Sequence, residues 1–63
     1  MNSSTNMIAK NVLEREVQYI DSRVRFLNEH PYDDETDIRM AQEEVWILEE
    51  ARTYLADRIK ELS

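Results

Sequence analysis

The chain has 63 residues, no cysteine, no glycine and one proline, with 14 acidic against 8 basic side chains and a net charge of -6. That length forms one small domain, and without thiols neither a disulfide nor a thiolate metal site can support its core. The negative charge repels phosphate backbones, so direct nucleic-acid binding is not expected, and the lack of glycine removes most tight-turn chemistry of a β-rich fold.

No run approaches the ~18 apolar residues of a membrane span. Met1 to Asn6 lacks the basic start and apolar centre of a secretory signal. A soluble, cytoplasmic protein with no membrane partner is therefore expected. A single core of this size supplies only ~3–5 kcal/mol, which leaves self-association as the remaining source of stability.

The polar N-terminus offers Ser3, Ser4, Thr5 and Asn6 as helix caps. A start near residue 4 fits the rhythm that Ile8 already shows. A later start at Asn11, with Glu14 three residues on as in a capping box, would leave residues 1–10 as an arm. The domain is read as 1–63, with 1–6 an arm that can fray.

From Leu13 an apolar line runs through Val17, Ile20, Val24 and Leu27 at alternating spacings of four and three, the mark of one helix face. This predicts a first helix over about 4–29. His30-Pro31 ends it, because proline disfavours the α conformation in the residue before it and cannot donate to the preceding turn.

Asp33, Asp34, Glu35 and Asp37 then open a second helix, predicted over about 34–62. Carboxylates there cap free N–H groups and meet the positive end of the helix dipole, while Arg58 and Lys60 suit the other end. Glu35 and Arg39 are spaced for an i,i+4 ion pair. The apolar line of this helix is Ile38, Ala41, Val45, Leu48, Leu55, Ile59 and Leu62, with Arg52 where the rhythm calls for another apolar residue.

A connection of about five residues makes the helices antiparallel neighbours. Folding the chain about it sets Leu27 against Ile38, Val24 against Ala41, Ile20 against Val45, Val17 against Leu48 and Leu13 against Arg52. The fold class is thus all-α, an antiparallel two-helix hairpin. Arg52 is expected to snorkel from the seam toward Glu16 or Glu49.

A second apolar line lies beside the seam: Val12, Tyr19 and Phe26 in helix one, Met40, Ile47 and Tyr54 in helix two. Both fall on one side of the hairpin. They frame Ala9, Glu16, Arg23, Glu44, Ala51 and Arg58, with Arg23 and Glu44 placed to pair. Six large apolar side chains in one patch exceed what a small monomer leaves in water, so dimerisation into a four-helix bundle is expected.

Trp46 stands apart from both lines, either packed over the seam edge or in a bundle interface, or free as a partner contact. Glu43, Glu50 and Asp57 form an acidic row at heptad spacing, a solvated face or a partner surface. His30, the single histidine, lies near four carboxylates, but the spacing matches no calcium-binding loop and reads as turn chemistry. No cofactor or metal is implied. Catalysis finds no support either: no glycine loop, no serine with a base in position, no convergent pocket in a two-helix unit.

The expectation is a small acidic, non-enzymatic protein-protein interaction module. It self-associates and binds another, unidentified protein as regulator, inhibitor or adaptor, of a kind encoded by phages and mobile elements. Two other readings stand beside it: an acidic nucleic-acid mimic acting through Glu43, Glu50 and Asp57, and a structural subunit of a larger assembly docking by the second apolar line.

Overall fold

The computed structural model describes residues 3–63. Two helices account for nearly all of them: α1, Ser3–Glu29, and α2, Glu35–Leu62. They pack against one another as a hairpin. Helix α1 takes the earlier of the two possible starts, so Ser3 to Asn6 are helical, and Met1 and Asn2 lie outside the described residues.

Backbone chemistry explains the boundaries. The N–H of His30 donates to the Phe26 carbonyl at 2.9 Å, closing the last turn of α1 just before Pro31. Asp34 is extended, with φ -113° and ψ 133°, and its side chain accepts from the Thr36 N–H at 2.8 Å. That is N-capping by an aspartate, satisfying a donor the helix cannot pair internally. At the far end of α2 the Ser63 N–H donates to the Lys60 carbonyl and its hydroxyl to that of Ile59.

The two helices differ at their ends. Helix α2 has Glu35 and Asp37 in its first turn and Lys60 in its last, complementing its dipole, whereas α1 has no acid in its first turn and no base in its last. Packing against α2 must therefore hold α1.

Little of the chain is fully buried. Ile20, Leu27 and Ala41 are 5%, 6% and 8% exposed and are the buried residues among those described. The rest of the seam is half-buried, except that Ile38 is 38% exposed. It lines one hollow together with its predicted partner Leu27, and with Ala41 and Val45.

Residues 30–34 are non-helical, and five extended residues span roughly 16 Å, enough to bridge two packed helices ~8–10 Å apart.

Arg52 departs from the expected pairing. Its Nε donates to Asp21 Oδ1 at 2.6 Å, not to Glu16 or Glu49 as anticipated. Asp21 lies eight residues nearer the turn than Leu13, a rise of about 12 Å along the helix. Its guanidinium is thus drawn along α1 toward the turn, away from the level of Leu13.

The molecule measures 51 × 15 × 10 Å, with a radius of gyration of 15.0 Å. A compact chain of this length would have a radius near 11 Å (order of magnitude). Its accessible surface is 5247 Å², against ~4,300 Å² for a compact monomer of this mass.

Candidate functional site

Helical periodicity brings the second apolar line together on one broad face of the hairpin. Val12, Tyr19, Phe26, Met40, Ile47 and Tyr54 are between 51% and 66% exposed. All six keep most of their apolar surface in water, on a molecule whose core includes only three buried side chains among the described residues.

An ion pair crosses the middle of this face. Arg23 Nε donates to Glu44 Oε2 at 2.8 Å, with a longer second contact from Nη2 to Oε1 at 3.4 Å. This pairing of a guanidinium fork with a carboxylate is the one anticipated from the sequence. The hydrogen bond from Arg23 holds the Glu44 carboxyl below its ordinary value, against a smaller opposing effect of desolvation. Arg23 is raised reciprocally, first by the same hydrogen bond. Its guanidinium carbon also lies 5.4 Å from the centre of the Phe26 ring, within cation–π range.

The opposite edge of the seam carries the Asp21–Arg52 pair. The hydrogen bond from Arg52 is the leading cause of the lowered Asp21 value. Each edge of the hairpin thus has one arginine–carboxylate tie between the helices. Arg58 pairs within its own helix with Glu61 at 2.7 Å. Among the described residues Glu35 and Arg39 form no ion pair, contrary to their spacing, and Glu16 has no cationic partner.

At the turn, aromatic rings continue the face. Phe26 and His30 have ring centres 5.3 Å apart, and His30 meets Tyr32 edge-on at 4.8 Å. Tyr32 was not singled out by periodicity because it lies in the non-helical turn. The Phe26–His30 spacing of four was the one available signal. His30 here packs among rings.

Two hollows flank Ala41, where the small side chain leaves space. One, about 170 Å³, is lined by Leu27, Tyr32, Ile38 and Val45 among others; the second, about 290 Å³, opens beside Met40 and Glu44. Both fall below the ~300–1,000 Å³ usual for small-molecule sites.

Trp46 is 63% exposed on α2. Glu43, Glu50 and Asp57 are exposed on the same outward side. The structure thus separates two surfaces, an apolar face centred on Arg23 and Glu44, and an acidic outer side with one indole. Among the described residues no helix is long and apolar enough to cross a membrane.

Comparison with protein-family models, curated proteins and solved structures found no match to this chain.

Proposed function

We propose that this chain is a non-enzymatic interaction module that self-associates through the face bearing Val12, Tyr19, Phe26, Met40, Ile47 and Tyr54. The product is a four-helix bundle whose outer side binds another protein as regulator, inhibitor or adaptor. The observation that carries this reading is the size of the exposed apolar face on a hairpin with so little core. The surface in excess of a compact monomer is roughly 900 Å², close to the ~800 Å² each partner contributes to a standard interface. Covering the face gains ~1.5–3 kcal/mol per large side chain buried, comparable to everything a lone core of this size supplies.

Trp46, Glu43, Glu50 and Asp57 remain outside such a bundle and form the surface offered to the other protein. Tryptophan supplies large contact area at low entropic cost, and the carboxylates select a basic counterpart.

Sedimentation equilibrium at tens of micromolar tests the first half: a mass of twice 7.6 kDa is expected. Changing Ile47 to Glu should return the chain to a helical monomer, whereas changing Glu43 and Glu50 to Gln and Asp57 to Asn should leave the dimer intact. A wild-type monomer under these conditions defeats the proposal.

A further inference from the structure

We infer that the protein bound at Trp46 presents an arginine, whose guanidinium stacks on the indole and donates N–H groups to the glutamates around it. The inference rests on the reading that this part of α2 binds another protein, and it names the chemistry of that partner.

On a helix, the positions three and four residues away adjoin a side chain. Around Trp46 these are Gln42, Glu43, Glu49 and Glu50, and all four are exposed. Each carries an oxygen that accepts hydrogen bonds, and none of the three carboxylates is in an ion pair among the described residues. Three other charges lie within seven residues. Glu44 and Arg52 are already paired across to α1. Arg39 is unpaired, and it stands two turns from Trp46, roughly 10 Å along the axis. Three free acids against one free base is a site that selects a cation.

The other exposed aromatic residues differ. Among the same four positions Tyr19 has Arg15 and Arg23, Phe26 has Arg23, and Tyr54 has Arg58. At Phe26 the outcome is visible. The Arg23 guanidinium carbon lies 5.4 Å from the ring centre while its Nε donates to Glu44 at 2.8 Å. Ring, guanidinium and carboxylate form one unit. Trp46 has the ring, of the kind that attracts cations best, and the carboxylates, but no guanidinium of the described residues lies over it. An arginine from the partner completes the same unit. Lysine fits it less well. A guanidinium lies flat on an indole and directs its N–H groups outward in its own plane, toward the neighbouring glutamates, whereas an ammonium is a compact, strongly hydrated charge.

Fluorescein-labelled hexa-arginine and hexalysine, of equal charge, test this on the full chain at ~20 mM salt, where surface charges are little screened. By fluorescence anisotropy hexa-arginine should bind about two- to fivefold more tightly, the ratio expected for one exposed cation–π contact. Trp46→Ala, at an exposed position and checked for helicity by circular dichroism, should bring the two peptides to equal affinity. Changing Glu43, Glu49 and Glu50 together to Gln should weaken both. Because Trp46 is the single tryptophan, its emission should change saturably with unlabelled hexa-arginine. Equal affinities in the wild type, an arginine preference that survives Trp46→Ala, unchanged binding in the triple Gln variant, or no saturable binding overturns the inference. A dimer mass in sedimentation then leaves self-association standing, whereas a monomer that still prefers hexa-arginine defeats the dimer alone.

Discussion

Two arginines reach from one helix to the other. Arg23 and Arg52 each offer a rigid guanidinium to a carboxylate on the other helix, at 2.8 Å and 2.6 Å. Both pairs are solvated, so their contribution is modest and salt-sensitive. Its pH dependence has a definite sign. Glu44 and Asp21 are held below their ordinary values in the folded chain, so the stability they add is present above the unfolded-state values near 4 and is lost as pH falls through the lower folded values. The melting temperature should therefore be flat near pH 6 and fall below about pH 4. Replacing Asp21 with Asn and Glu44 with Gln together should shrink that fall. An unchanged acid profile in thermal melts of the double variant would show that the pairs do not contribute. Asp34 acts independently of both, and Asp34→Ala should cost about 1 kcal/mol, or roughly 4–8 °C in the melting temperature of a domain this size.

At the scale of the helices, α1 and α2 are unequal. Helix α2 is capped at Asp34 and its end charges suit its dipole, whereas α1 ends on Glu29, an acid at the negative pole. Glu29→Lys should raise stability by ~0.3–1 kcal/mol at low ionic strength, seen as a higher urea midpoint with an unchanged slope. Packing remains the larger effect. Leu27 is one of three buried side chains among the described residues, and removing such a leucine typically costs about 2–5 kcal/mol, nearly all that a core this small supplies. Leu27→Ala should leave little helicity at 25 °C by circular dichroism. A cooperative melt retained near that of the wild type would locate the stability elsewhere, in the interface between copies.

For the whole molecule, the governing fact is shape. A hairpin with a 51 Å long axis and a 10 Å short one has little interior relative to its surface, and its apolar content is divided between a seam and an open face. Association then adds to stability by mass action, so the melting temperature should rise with protein concentration between about 5 and 500 µM. Ile47→Glu should remove that dependence while leaving a folded or partly folded monomer, because Ile47 lies outside the hairpin's own core. A melting temperature independent of concentration in the wild type would count against the bundle.

By itself the sequence determined the two helices, the end of α1, the start of α2 and the presence of two apolar lines, because these follow from local periodicity, from Pro31 and from carboxylates placed to cap α2. The Arg23–Glu44 tie was legible for the same reason, both residues falling on the inner side of the second line. The partner of Arg52 was not legible, because a pattern that alternates spacings of three and four does not say which carboxylate a long side chain reaches on the other helix. Only the tertiary structure decided, through the bond from Arg52 to Asp21, and it also left Ile38 exposed beside the turn. What the one-dimensional pattern presents as a polar break in the seam is a tether between the helices. The physical reason is that heptad spacing constrains which faces meet, while the level at which they meet depends on long-range geometry that local periodicity does not encode.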